Sequence, residues 1–176
     1  MKRSSFLVAA LLCAMSSASM AQDTATSGQL SASAKEFVEK AGTSGLAEVE
    51  MGEIGAQKAT NGQVKAFAKR MVADHTKANQ DLSNAIKGKG VQVPSSRTGM
   101  HKATMEKFQQ QDASKDFDRD YMEQMVEDHK AAVELFETAA DDEQLDVELR
   151  GYAKNTLPAL RDHLKQAQTI ESKLAD

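Results

Sequence analysis

The chain has little of what breaks helices or cross-links loops. Its 176 residues include no tryptophan, one cysteine and two prolines, while alanine, glutamate, lysine, glutamine and leucine are abundant. This composition favours an all-helical fold. The net charge of −4 does not suggest a nucleic-acid-binding protein. No stretch after the N-terminal segment is apolar enough to predict a membrane helix, and the oligomeric state is left open.

The N-terminus has the pattern of a secretory signal. Two basic residues precede a short apolar stretch over residues 6–15, and residues 19–21 form a small-x-small cleavage site. Residues 1–21 are therefore predicted to be a signal peptide cleaved near Ala21, and the mature protein to be periplasmic or secreted. Because Cys13 lies in the removed segment, we expect no disulfide in the mature chain.

The remaining chain is predicted to be a flexible leader followed by one helical domain. Residues 22–32 are small and polar without periodicity, which is typical of a flexible segment. Residues 33–174 carry apolar positions spaced by three and four, which predicts four long helices. Four such helices form a four-helix bundle. The bundle is ferritin-like if residues 88–113 cross from one end to the other, and up-down if they do not.

Local signals predict where these helices begin and where they are disturbed. A capping box at Ser33 and Glu36 would start the first helix, and glycines would break it near Thr43. A second capping box, at residues 60–63, would start the next long helix. Ser114 is predicted to be the N-cap of the third helix, and the turn before the fourth helix is predicted near Asp146 or Asp141. Pro158 is predicted to kink the fourth helix.

Three of the four histidines follow an aspartate. Two of these pairs lie in nearly identical phrases, MVADH over residues 71–75 and MVEDH over residues 125–129, and the third pair is at residues 162–163. Each histidine falls on the apolar stripe of its helix. Neighbouring residues point about 100° apart on a helix, so each aspartate would flank the core rather than enter it. The histidines are His75, His129 and His163, and the flanking aspartates are Asp74, Asp128 and Asp162.

Helix register predicts which of these residues are level. Glu48, on the stripe of the first helix, and His75 are equally far from the turn near residue 61. His129 and His163 are level only if their helices turn near Asp146. If so, one carboxylate and three imidazoles form a layer across the bundle. Asn79, one turn after His75, adds a polar group to the same face.

Two interpretations of this layer stay open. Imidazoles and a carboxylate that converge would suit one Zn, Cu or Fe ion, with Glu48, His75, His129 and His163 as ligands and the aspartates and Asn79 as their hydrogen-bond partners. Alternatively, the histidines are hydrogen-bonded core residues that fix helix register. A di-iron bundle carries Glu three residues before each core His. Here those positions hold valine or leucine, at Val72, Val126 and Leu160.

Several sequence segments resemble those of a widespread bacterial family. They are LAEVEMG at residues 46–52, VKAFAKRMVADH at 64–75, FDRDY at 117–121 and LPALRDHL at 157–164. The chain resembles the DUF4142 family of secreted, ferritin-like domains of unknown function, often labelled outer-membrane proteins. The resemblance implies a ferritin-like bundle in the bacterial cell envelope and no established reaction. Three functions follow as hypotheses: a structural or stress-related envelope protein, a single-metal-binding protein and, more weakly, a ferritin-like oxidase.

Overall fold

A computed structural model describes residues 29–96 and 99–175 of the chain. The predicted signal peptide, its cleavage site and most of the predicted leader lie outside these residues. The described residues form five helices and no strand, which confirms the all-helical prediction. None of the helices they form has the length and apolar character needed to span a membrane. The helices are α1 (Ala32–Lys58), α2 (Gly62–Ala85), α3 (Gly99–Gln110), α4 (Lys115–Asp141) and α5 (Val147–Leu174).

Each of the four long helices begins at a side chain that caps its free backbone amides. Ser114 and Asp146 cap α4 and α5, as the sequence predicts. The other two predicted capping boxes are wrong. The Ser31 hydroxyl accepts from the amide of Ala34 and starts α1 two residues early. Asn61, rather than the threonine before it, accepts from the first amides of α2.

The predicted break near Thr43 is also wrong, because α1 continues through both glycines. The Thr43 hydroxyl donates to the carbonyl of Glu39 at 2.8 Å inside the helix. The glycines instead let neighbouring chain approach closely. A Cβ at Gly42 would lie 2.6 Å from Cδ of Pro94, so tertiary packing explains the glycine that local propensity marks as a breaker. In α5, the helix also continues through Pro158; the kink itself stays a prediction.

The four long helices contact one another in a ring: α1 packs on α2, α2 on α5, α5 on α4, and α4 on α1. Every neighbouring pair is antiparallel. Short turns make this necessary within the α1–α2 and α4–α5 hairpins. Between hairpins, Arg70 early in α2 contacts Gln166 late in α5, and Phe37 early in α1 contacts Phe136 late in α4. It follows that α2 and α4 run in the same direction.

Parallel α2 and α4 require the link between them to cross the whole bundle. Val93 and Pro94 lie against Gly42 near the start of α1. Farther along, the backbone carbonyls of Phe108, at the end of α3, and Gln111, just beyond it, accept hydrogen bonds from the ammonium group of Lys58, at the end of α1. The link therefore runs alongside α1 and carries α3 with it. The sequence had left this crossover undecided.

The core has two apolar clusters, one toward each end of the bundle. The first includes Phe37, Leu82 and Phe136, together with Leu30, which the sequence placed in the flexible leader. The second is formed around the other ends of the same helices and is rich in methionine and aromatic side chains. The buried histidines lie between the two clusters. Members of the second cluster include Phe67, Met71, Phe108, Phe117, Tyr121, Met122 and Met125.

Candidate metal centre

Three different helices contribute one buried histidine each to the middle of the bundle. His75 comes from α2, His129 from α4 and His163 from α5, and their exposed fractions are 6 %, 0 % and 1 %. The α4–α5 turn begins α5 at the Asp146 cap, which is the register that makes the last two histidines level. The buried face of each of these three helices thus places one imidazole in the same part of the core, as the helix register predicts.

The three imidazoles converge. One ring nitrogen from each lies within 4.8 Å of the nitrogens from the other two, and the ring centroids are 5.4 to 5.5 Å apart. Three nitrogens at this spacing surround a central point that is no more than about 2.8 Å from each of them. If each nitrogen moved by about 0.7 Å, this distance would shorten to the bond length of zinc to imidazole nitrogen, about 2.0–2.1 Å. Side-chain rotations can supply a shift of this size.

Hydrogen bonds fix the orientation of two of the rings. The Nδ1–H of His129 donates to the carbonyl of Met125 at 2.8 Å, and the Nε2–H of His163 donates to the carboxylate of Asp74 at 2.8 Å. Because a carbonyl and a carboxylate can only accept, these two ring nitrogens carry the protons. The opposite nitrogens of both rings are then lone-pair acceptors.

The inward nitrogens have no partner within the described part of the chain. We identify them with the ring nitrogens that are buried and have no hydrogen-bond partner in that part of the chain: Nε2 of His75, Nε2 of His129 and Nδ1 of His163. Burial, followed by the neighbouring imidazoles, lowers the pKa of His75 to about 3. Burial also lowers the pKa of His129 to about 4, against the opposing effect of the Met125 carbonyl, and lowers the pKa of His163. All three rings are therefore neutral at pH 7, the form that binds a metal ion.

Asp74 connects the histidines to a charged network between α2 and α5. Burial alone would raise the pKa of Asp74, but hydrogen bonds from His163 and Arg70 outweigh it and hold the pKa below its usual value. The guanidinium of Arg70 donates to Asp74 at 3.1 Å and to Asp162 at 2.7 Å. Asp74 thus supports the histidine of another helix, His163, rather than its own neighbour in sequence.

Glu48 is level with the histidines but lies outside their triangle. Its carboxyl oxygen Oε1 is 3.9 Å from Nδ1 of His129, which is the outer nitrogen already bonded to the Met125 carbonyl. Burial, and secondarily the charge of Asp128, raises the pKa of Glu48 well above its usual value. Among the described residues, the three histidines form a group close enough to share an ion, and Glu48 is not part of that group.

The other predicted partners of the histidines contact different groups. Asp128 accepts from the amide of Gln124 at 3.0 Å, and burial raises its pKa to about 6. Asp162 pairs with Arg70. Asn79 lies over Gly45 of α1. Sequence reasoning missed Arg70 and Gln124, although each stands four residues before its aspartate, the spacing at which helical side chains meet.

Taken together, these elements define an all-helical bundle with three buried imidazoles converging at its centre. The chain belongs to the family described as Domain of unknown function (DUF4142), whose model matches residues 19–170. This confirms the resemblance found in the sequence. No curated protein and no solved structure matches the chain.

Proposed function

We propose that the protein binds one transition-metal ion, Zn²⁺ or Cu²⁺, through His75, His129 and His163. The observation that carries the proposal is the set of inward nitrogens, which are buried, close together and unpartnered in the described part of the chain. Two of the three rings are also held from behind by a carboxylate or a carbonyl, an arrangement typical of histidines that bind metal.

A purely structural role for these histidines explains only half of the arrangement. Their outer hydrogen bonds would orient the rings and fix helix register without any ion. The inward nitrogens would then remain as buried acceptors facing one another, and each unsatisfied polar group costs about 1–3 kcal/mol. A cation that accepts all three lone pairs removes this cost, so the metal proposal accounts for the three inward nitrogens as well as for the outer hydrogen bonds of His129 and His163.

The donor set favours zinc or copper over iron. Three neutral imidazoles suit these two ions, whereas mononuclear iron sites typically add a carboxylate to two histidines. The residues three positions before the histidines are Val72, Val126 and Leu160, so the ligand pattern of a di-iron oxidase is missing. Because the three ligands are almost wholly buried, we assign the site to metal binding rather than to turnover of a substrate.

We extend the proposal to fold class and cellular location. The long crossover between α2 and α4 supports a ferritin-like four-helix bundle, since that fold has one such connection. The basic start, short apolar stretch and small-x-small site of residues 1–21 support a periplasmic or secreted protein of the bacterial cell envelope. Mass spectrometry of the protein recovered from its host tests the location: a mature chain beginning at Gln22 is expected, and an intact N-terminus contradicts it.

Metal content and thermal stability test the binding proposal. The protein is purified without an affinity tag, stripped with EDTA and titrated with Zn²⁺ or Cu²⁺. One equivalent of metal is expected to bind. At a hundredfold excess over Kd, the stabilisation of about 3 kcal/mol should raise the melting temperature by about 5 °C or more. The double variant His75→Ala, His129→Ala should lose both effects.

The matched control replaces His101, the histidine outside the triangle. His101→Ala should retain one equivalent of metal and the full shift in melting temperature. Circular dichroism checks that each variant is folded; if the double variant is not, the single variant His163→Leu replaces it. No stabilisation of the unaltered protein by either ion, or equal binding by the double variant, rejects the proposal.

A further inference from the structure

A second polar region lies on the other side of His129, away from the metal centre. It is a cleft of about 430 Å³ between α1, α3 and α4. Its apolar walls include Ala47, Met51, Met105 and Leu135, and its polar lining includes the carboxyl groups of Glu48 and Asp128 together with the side chains of Lys40 and His101. The size and the mixture of apolar walls with a few polar groups are typical of a small-molecule site.

Glu48 gives this cleft its chemical character. The side chain is 7 % exposed, and its Oε2 has no hydrogen-bond partner in the described part of the chain. Asp128, the other acid of the lining, accepts only from the neutral amide of Gln124 among the hydrogen bonds found in the described residues. Lys40 at the rim is paired with Glu36 at 2.7 Å.

Within the described residues, neither Glu48 nor Asp128 has a lysine or arginine as a salt-bridge partner, although Lys40 and His101 line the same cleft. Buried carboxylates in proteins are normally paired with a cation or bound to a metal.

We propose that this cleft binds a small organic cation, a primary ammonium group on a short apolar chain. The ammonium would donate hydrogen bonds to the acids of Glu48 and Asp128, and the chain would lie against the walls formed by Met51, Met105 and Leu135. An ammonium supplies three donors and one positive charge, which is what two acids with free acceptor oxygens require.

An organic cation fits better than a metal ion. The only group of three metal-ligating side chains close enough to share an ion, among the described residues, is the histidine triangle. The cleft is also far larger than an ion needs, and most of its wall cannot coordinate one. Apolar chain length would therefore contribute to affinity here, as it would not at a metal site.

Calorimetric titration with matched probes tests the proposal. Hexylammonium is titrated into the full protein in parallel with hexanoate and hexan-1-ol, which share its chain but differ in charge. Hexylammonium is expected to bind with a Kd below about 1 mM, and the other two at least tenfold more weakly. Glu48→Gln should weaken hexylammonium binding at least tenfold, because an amide of the same shape cannot ionise to pair with the ammonium group.

Glu53→Gln is the control, since Glu53 is an exposed carboxylate on the same helix outside the cleft; it should leave the affinity unchanged. Equal binding of all three probes would mean an apolar cleft only and overturn the proposal. So would displacement of hexylammonium by Mg²⁺ or Ca²⁺ that depends on Glu48, which would indicate a metal site. Titrations with and without EDTA separate this test from the histidine centre, because amine binding is expected in both.

Discussion

The repeated phrases MVADH and MVEDH place their histidines alike and their aspartates differently. His75 and His129 both enter the buried triangle. Asp74, in the first phrase, accepts hydrogen bonds from His163 and Arg70, and its pKa is lowered. Asp128, in the second phrase, accepts from Gln124 alone among the hydrogen bonds found, and its pKa is raised to about 6. Asp74 thus supports His163 of the triangle, while Asp128 lines the cleft.

The difference comes from the residue one turn earlier and from the facing helix. Position i−4 holds Arg70 in α2 but Gln124 in α4, so only Asp74 has a cation beside it. Across from Asp74, helix α5 presents His163. Asp128 instead faces the cleft between α1, α3 and α4. A helix fixes which residue enters the core, but the charge of a flanking residue depends on what its neighbours present.

Substitution of the two aspartates should differ most in its effect on metal affinity. The Asp74 carboxylate orients His163 and increases the basicity of its ring, and Asp74→Asn removes this carboxylate. The affinity for Zn²⁺ should therefore fall about 10- to 100-fold. Asp128 makes no hydrogen bond with a histidine of the triangle in the described residues, so Asp128→Asn should change the affinity much less than Asp74→Asn. Competition with a chelator of known affinity measures both.

Each variant serves as the control for the other, because the chemical change is the same and the sequence context nearly so. Equal losses in both variants would contradict the distinction drawn between the two aspartates. No loss in either would show that the hydrogen bond from His163 does not support the metal centre, even if the histidines themselves bind the ion.

Much of the fold and of the triangle could be predicted because both depend on local periodicity. The spacing of apolar residues fixes the faces of α2, α4 and α5. Turn chemistry at Asp146 then fixes the level of His129 relative to His163. Within a hairpin, register needs only the turn and the helical rise, which explains why Glu48 was correctly placed near the histidine layer.

The features that the sequence left open or missed depend on contacts between hairpins. The crossover follows from Lys58 and Gly42 meeting the link, and nothing in the local sequence gives that direction. The pairing of Asp74 with His163, rather than with its neighbour, joins residues far apart in the chain. Glu48 is level with the triangle yet faces its outer side, because level alone does not determine the direction of a side chain.

A second prediction concerns the stability of the metal-free protein. Burial raises the pKa of Asp128 to about 6 in the folded state, above its ordinary value of 3.8. The folded state therefore holds the proton more tightly, and its stability falls as the pH rises from about 4 to about 6. Asp128→Asn cannot ionise, so above pH 6 it should be more stable by about 1–2 kcal/mol, after allowance for partial exposure of the side chain.

Urea denaturation in EDTA between pH 4 and pH 8 measures this effect. The two proteins should converge as the pH approaches 4, where Asp128 is protonated in the fold. Asp74 has the opposite sign: its lowered pKa stabilises the fold above 3.8, and this contribution is lost as the pH falls through the folded-state value. Asp74→Asn should therefore be less stable than the unaltered protein at pH 7. A stability difference for Asp128→Asn that does not depend on pH would contradict the assigned burial of its charge.

A smaller change in metal affinity is expected when the two segments are made alike at the residue four positions before the aspartate. Arg70→Gln gives α2 the amide that α4 already has, and it removes the cation beside Asp74 while leaving the hydrogen bond from His163 in place. Metal affinity should fall only about threefold, because the exposed ion pairs of Arg70 are each worth about 0–1 kcal/mol. The converse variant, Gln124→Arg, supplies Asp128 with a cation and should leave metal affinity unchanged. A loss in Arg70→Gln as large as that in Asp74→Asn would mean that the guanidinium, not the carboxylate, determines how firmly His163 is held.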